Sequence, residues 1–413
     1  MKPGEYELRT LTSGMLWVHR RSPGAVAHLA LVIKAGSRDE LETEQGMAHF
    51  VEHCLFKGTE KRKTYHILSR LDDVGGELNA YTSKEETMLY ATVLRKDARR
   101  ALELLLDIAF RSVFPEREIA KEQDVIIDEI HSYKDAPSDL IFDHFDELLF
   151  DGHPLGRNIL GTPEHVRSFD QTKTRAFHHR LYQPDNVVIA TAGSFGIDRF
   201  VPWVEESTAS MGFTETALIR EAVNGYTPQN RIESMPYFQT HIALGNRAFG
   251  SKEEPALALL LLNNLLGGPG MNTRLNLNIR ERYGLTYNLE SFYTPYSDSG
   301  YWGVYLSTDP EQADRVLDLV HRELRSLRER PLGILQLSKA KHQLQGQLVL
   351  GQENPGSSVS GIAKSLLHFD QVESIEDVLK RIDRIEAKEL IEVGQTVFDP
   401  GRFSMVRLNG QSQ

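Results

Sequence analysis

The sequence predicts an α+β protein of two homologous domains of about 200 residues, each a mainly antiparallel sheet packed with helices. Three observations carry that expectation. The chain has 413 residues, too many for one ordinary core. Short strand patterns alternate with longer amphipathic ones that read as helices. The second half also repeats the first: His241 in Thr240-His241-Ile242-Ala243-Leu244 follows His28 in Ala27-His28-Leu29-Ala30-Leu31 at an offset of 213. Tyr301-Trp302-Gly303-Val304 follows Tyr90-Ala91-Thr92-Val93 at 211, and Asp309, Ala313 and Leu317 follow Asp97, Ala101 and Leu105 at 212. A near-constant offset over separate elements marks a duplication. The expected division is a first domain at 1–205, a polar linker at 206–232 with Gly225, Pro228 and Asn230, and a second domain at 233–413.

Composition narrows the class. Forty per cent hydrophobic and 25% charged residues is ordinary globular usage. A net charge of −11 argues against a general nucleic-acid binder. Cys54 is the single cysteine, so no intrachain disulfide framework exists, and it reads as a small buried apolar residue. The N-terminus lacks the apolar run of a signal peptide, and the longest apolar stretch, 256–266, is too short to span a bilayer and contains two Asn. The expected location is cytoplasmic, without membrane insertion.

In the first half, 15–19 and 25–35 read as strands, the second strongly apolar and closed by Gly36. A helix should follow over Gly46-Met47-Ala48-His49-Phe50-Val51-Glu52-His53-Cys54-Leu55-Phe56. On it His49 and His53 are four apart and point the same way, as two imidazoles sharing one metal ion require. Glu52 falls near that face, placed to take a proton from a metal-bound water. Phe50, Val51, Leu55 and Phe56 make the helix apolar on nearly all sides, and burying two histidines and a glutamate is costly unless something satisfies them. Next come a helix at 65–74, a Gly75-Gly76 turn, strands at 77–83 and 87–94, and helices at 98–110 and 116–133. In the last of these, Glu122 and Glu129 are seven apart on one face. Alone they read as a solvated acidic face, but beside the pentad His49-Phe50-Val51-Glu52-His53 they are candidate carboxylate donors. His153, His178 and His179 lack ligand spacing to the pentad and read as surface or packing residues. A strand at 187–192 closes the half.

These stretches resemble the pitrilysin-type inverzincin peptidases, in particular the mitochondrial processing peptidase and its bacterial relatives. The resemblance covers about the first 165 residues: the pentad His49-Phe50-Val51-Glu52-His53 followed by Phe56-Lys57-Gly58-Thr59, then Gly76-Glu77-Leu78-Asn79-Ala80-Tyr81-Thr82-Ser83-Lys84-Glu85, then 122–130. It implies a zinc endopeptidase with His49, His53 and Glu129 as metal ligands, Glu52 as base and Glu122 supporting the ligands. It also implies that Asn79, Ala80 and Tyr81 lie on an edge strand that pairs with substrate backbone.

In the second half, 259–266 stands in the place of the pentad helix and has no histidine. Gly267-Gly268-Pro269-Gly270-Met271 resembles the family's glycine-rich loop and lacks the Gly-Lys-Ser/Thr ending of a phosphate loop. Arg280 and Tyr287, seven apart, match the family's arginine–tyrosine pair, which implies roles in holding substrate backbone and the carbonyl oxygen. The remaining patterns at 334–350, 357–367 and 387–398 read as packing helices, and 403–408 as a last strand. Because one half-length chain carries both motifs, the resemblance implies a homodimeric clamshell with sites completed across the interface, acting on peptides or unfolded polypeptide segments. The competing reading is a non-catalytic scaffold or a partner-dependent subunit of the same fold.

Overall fold

The computed structural model describes residues 6–209, 211, 213, 214 and 218–411. Two compact units emerge, each built on one sheet. In the first, strands β1 (Tyr6–Thr10), β2 (Leu16–Arg21), β3 (Val26–Ile33), β4 (Glu77–Thr82), β5 (Thr87–Leu94) and β6 (Val187–Gly193) lie in the order β1-β2-β6-β3-β5-β4. In the second, β7 (Asn230–Ser234), β8 (Thr240–Ala248), β9 (Thr286–Pro295), β10 (Gly300–Thr308) and β11 (Ser404–Asn409) lie in the order β7-β11-β8-β10-β9. Without β1, the two orders are the same. Each sheet has one parallel pair, β2 with β6 and β7 with β11, and is otherwise antiparallel. The α+β class and the duplication are therefore visible strand by strand. Strand β1, which the sequence reading did not anticipate, is half-exposed to exposed and carries a weak apolar signal.

The apolar run in β3 reflects a strand covered on both faces. Leu29, Leu31 and Ile33 face a core shared with the helices Met47–Leu55, Ala98–Phe110 and Gln171–Leu181. Ala30 and Val32 face the other way, onto Val359, Ile362, Ala363 and Leu366 of the helix Pro355–Phe369. That helix is pinned by Glu86, which is buried and accepts hydrogen bonds from His368 Nε2 at 2.7 Å and from Lys364 Nζ.

The units do not follow the predicted division at 205 and 233. The first takes Leu350–Ser374 from the C-terminal half, and the second takes Ser132–Gly156 from the N-terminal half. In the second unit the helix Pro137–Leu149 packs Ile141, Phe145 and Leu149 onto Ala243, Tyr301 and Val406. An apolar helix face states that a partner exists, not which sheet supplies it, so the exchange is invisible in the pattern. Nor is 206–232 a free connector. Arg220 sits inside the first unit, paired with Asp39 and Glu85 at 2.9 Å each. Tyr226 belongs to the second, its hydroxyl bonded to Ser404 at 2.8 Å. Within that predicted linker, 210, 212 and 215–217 lie outside the described residues, as do 1–5. Among the described residues, no helix is long and apolar enough to cross a membrane.

Candidate metal centre

The pentad is held on the helix Met47–Leu55, whose residues Phe50, Val51, Cys54 and Leu55 are buried. Gly46 starts it at φ 92°, a left-handed conformation that suits glycine, and a Cβ there would lie 2.6 Å from the Leu160 carbonyl oxygen. The helix N-terminus is capped from outside: buried Glu40 accepts from the amides of Gly46 at 3.0 Å and Ala48 at 2.8 Å. A carboxylate there complements the amides and the helix dipole. Burial nonetheless pushes the Glu40 carboxyl well above its usual range, against the pull of those two amides.

One turn apart, the His49 and His53 rings meet edge to face with centroids 4.5 Å apart. Glu129, on the helix Glu116–Lys134, brings Oε2 to 3.9 Å from His49 Nε2 and 3.8 Å from His53 Nε2. The three donor atoms lie within 4.8 Å of one another. Tetrahedral bonds of roughly 2.0–2.1 Å place ligand atoms about 3.4 Å apart, so a small inward adjustment closes the triangle on one ion. Two imidazole nitrogens and one carboxylate oxygen form a donor set suited to zinc, with a position left over for water or substrate. Burial, and then the nearness of His53, push His49 down to about 3, so it stays the neutral imidazole a ligand must be.

Glu122 lies behind the triangle. Its Oε2 is 3.2 Å from His53 Nδ1, and its Oε1 is 2.7 Å from Lys57 Nζ. With Nδ1–H given to a carboxylate, His53 presents Nε2 toward Glu129. Burial pushes the Glu122 carboxyl up, but the hydrogen bonds from His53 and Lys57 outweigh it and hold the group below its usual range. Lys57 was not singled out from the sequence; it is four residues after His53, and the helix ends at Leu55 before the spacing becomes helical.

Glu52 is half-buried and accepts a 2.6 Å hydrogen bond from the hydroxyl of Thr82. Burial raises its carboxyl, opposed by Thr82 and His53. A cleft of about 350 Å³ opens beside it, lined among others by Glu52, His53, Phe56, Leu78, Asn79 and Ala80. Among the described residues β4 is an edge strand, paired only with β5. Asn79 and Ala80 line the cleft, while Tyr81 does not. Its ring packs with Tyr90 at 6.4 Å between centroids and lies under Lys364, on the face that takes the helix Pro355–Phe369. Strand alternation turns its side chain away from the metal triangle.

Arg280 and Tyr287 belong to the second unit. Arg280 is exposed on a π-helical segment, Asn276–Glu281, with a 3.4 Å contact to Asn276 Oδ1. Tyr287, 78% exposed, is the second residue of β9, an edge strand of its own sheet. Cys54 is buried and free, and burial raises its thiol. His178 is a packing residue, hydrogen-bonded to the Ala109 carbonyl at 2.7 Å. In the second unit, the helix Ala256–Gly267 packs on edge strand β9 as the pentad helix packs on β4, and carries no histidine.

Comparison with known proteins bears on the family and the fold. Residues 17–163 match the family model described as Insulinase (Peptidase family M16), and 168–344 match that described as Peptidase M16 inactive domain. An uncharacterized zinc protease of Bacillus subtilis, YmxG, is 33% identical over 366 residues, covering 89% of each chain. One from Mycobacterium tuberculosis is 35% identical over 393 residues, covering 94% of this chain and 88% of the relative. Among solved structures, a peptidase M16 inactive domain from Pseudomonas fluorescens superposes with a TM-score of 0.91 at 19% identity, covering 98% of each chain. A protease from Helicobacter pylori gives 0.88 at 20%, covering 98% of this chain and 99% of that one. At such identity these two speak for the fold alone. The sequence matches say more: the chain belongs to the M16 (insulinase) family of zinc metallopeptidases.

Proposed function

We propose that this chain is a zinc endopeptidase that hydrolyses peptides or unfolded polypeptide segments. The single observation that carries the reading is the triangle of His49 Nε2, His53 Nε2 and a Glu129 oxygen, with Glu52 beside it at the mouth of a cleft. When bound, zinc supplies a Lewis acid that acidifies water and polarises the scissile carbonyl. Glu52 takes the proton of the attacking water and later passes it to the leaving amine. Its raised carboxyl suits a group that must hold that proton between the two steps. Glu122 and Lys57 fix the tautomer and direction of His53. The open edge of β4 offers backbone donors and acceptors to an extended substrate, and this favours unfolded segments over folded ones.

Arg280 and Tyr287 complete the reading as substrate-binding groups. Both are exposed and only weakly engaged by their own unit, which supports a role toward substrate backbone and the developing oxyanion. In a homodimeric clamshell each site would receive them from the opposite copy, and a closed chamber would select substrates by size and flexibility. The test is cleavage of mixed unstructured peptides of roughly 10–30 residues by zinc-loaded wild type and Glu52→Gln. General-base catalysis contributes about 10²–10⁴-fold, so cleavage should fall at least a hundredfold in the variant with zinc retained. A zinc-loaded wild type that cuts nothing would sink the reading and leave a non-catalytic or partner-dependent subunit.

A further inference from the structure

Thr82 is the last residue of edge strand β4, and its hydroxyl donates to Glu52 Oε2 at 2.6 Å. Among the described residues this is the hydrogen bond made to that carboxylate. The strand's alternation explains why Thr82 reaches it. Leu78, Ala80 and Thr82 share a face, and Leu78 and Ala80 pack against the core that holds the pentad helix. Tyr81 points the other way. The strand end is itself locked: Thr82 pairs with Thr87, whose hydroxyl donates to the Ala35 carbonyl at 2.8 Å. Thr82 thus links a fixed point of the sheet to a carboxylate on a different element.

We propose that Thr82 is the positioning residue of the base, fixing which oxygen of Glu52 takes the proton and tying that choice to the strand on which substrate docks. This rests on the zinc-endopeptidase reading above. A glutamate side chain has several rotatable bonds, and a half-buried carboxylate beside a cleft has room to turn. A short hydroxyl–carboxylate bond, in the 2.5–2.7 Å range of charge-assisted bonds, removes that freedom at one oxygen. Oε2 is engaged by Thr82, which leaves Oε1 as the proton acceptor. Since Thr82 and the backbone of residues 78–80 belong to one strand, a substrate strand added to the β4 edge is held in register with the base. Misplacement of a catalytic group by about 1 Å costs on the order of a hundredfold in rate, and removing this anchor should act on kcat, not on zinc or substrate binding.

The experiment compares zinc-loaded wild type, Thr82→Val, Thr82→Ser and Glu52→Gln on one peptide, with kcat, KM, zinc content and thermal unfolding measured for each. Valine keeps the shape and β-branching but lacks the hydroxyl, whereas serine keeps the hydroxyl but lacks the methyl. The expected result for Thr82→Val is a kcat lower by about 10- to 100-fold with KM changed by less than about twofold, zinc unchanged, and most of the loss recovered in Thr82→Ser. A Thr82→Val enzyme with kcat within about twofold of wild type, or a Thr82→Ser enzyme as slow as Thr82→Val, would overturn the proposal; so would a rate loss matched by loss of zinc. If Thr82→Val does not fold, the Thr82→Ser kinetics and Thr82→Ala, which opens space instead of filling it, decide on the same criteria. A dead Glu52→Gln beside an unimpaired Thr82→Val defeats this inference alone. An active Glu52→Gln, or a wild type that cuts nothing, defeats the assignment of the base and this inference with it.

Discussion

Two helices occupy the same place in two copies of one fold, and only one of them can hold a metal. Met47–Leu55 packs on edge strand β4, and Ala256–Gly267 packs on edge strand β9. The second helix satisfies its inward polar groups with neutral partners: Asn263 Oδ1 accepts from Trp302 Nε1 at 3.1 Å, and the Asn263 carbonyl accepts from the Ser291 hydroxyl at 3.0 Å. The first gathers two imidazoles and, across from them, two carboxylates, with His49 Nδ1 buried and without a hydrogen-bond partner among the described residues. A shared frame therefore tolerates either an apolar plug or a donor cluster. The chemistry resides in a few side chains grafted onto the frame.

The largest expected effect breaks the comparison from the metal side. Glu129→Gln replaces the charged oxygen of the donor triangle, and if the proposed ligand set holds the ion, zinc content measured after dialysis and peptide cleavage should fall together. Retention of both would mean that Glu129 is not a ligand. The second unit should respond in the opposite way. Leu262, 1% exposed in its core, should cost about 2–5 kcal/mol when changed to Ala, read by urea unfolding, while zinc per chain stays at the wild-type level. Next in size is the support behind the ligands. Glu122→Gln replaces the carboxylate that contacts His53 Nδ1, and if that contact supports the ion as proposed, competition with a chelator should show zinc affinity lower by about 10- to 100-fold.

The smallest effect concerns what burial of ionisable groups costs the first unit. His178 is held at about 4 by burial, against 6.5 for the free side chain. Between those values the unfolded chain takes the proton more readily, so stability is complete above 6.5 and is lost as pH falls toward 4. His178→Gln keeps a donor for the Ala109 carbonyl and removes the titration. Urea midpoints should then depend less on pH over that window, and an unchanged slope would assign the acid sensitivity to other groups.

The site was largely legible in the sequence because most of it is local. His49, Glu52 and His53 lie on one helical turn, and Glu122 and Glu129 are two turns apart on another. Spacing alone aligns such groups, and the family resemblance brought the two helices together. Thr82 was not legible, because its bond to Glu52 depends on where a strand end lies relative to a helix thirty residues earlier. Glu40 was hidden for the same reason: a cap supplied from outside the helix leaves no mark in the helix sequence. The π-helical turn at Asn276–Glu281 escaped because residue preferences do not separate it from an α-helix. Strand patterning gave β2 to β6 of the first sheet and missed the exposed β1. In the second sheet it gave only β11 directly, reached β8 and β10 through the repeat, left β7 in the expected linker and did not mark β9 as a strand.

The exchanged helices make each repeat depend on the other. Pro137–Leu149 lies on β8 and β11, and Pro355–Phe369 lies on β3 and β6, their counterparts in the first sheet. Each repeat therefore lends the same helix to the other repeat's sheet. A free-standing single repeat would leave Val18, Ala30, Val32, Met88 and Val188 bare of that cover, unless a second molecule lent its own helix. A single repeat of this kind therefore depends on a second copy for the helix that covers its sheet. The present molecule still bears that dependence: cut after residue 220, its two fragments should be recovered folded only when expressed together.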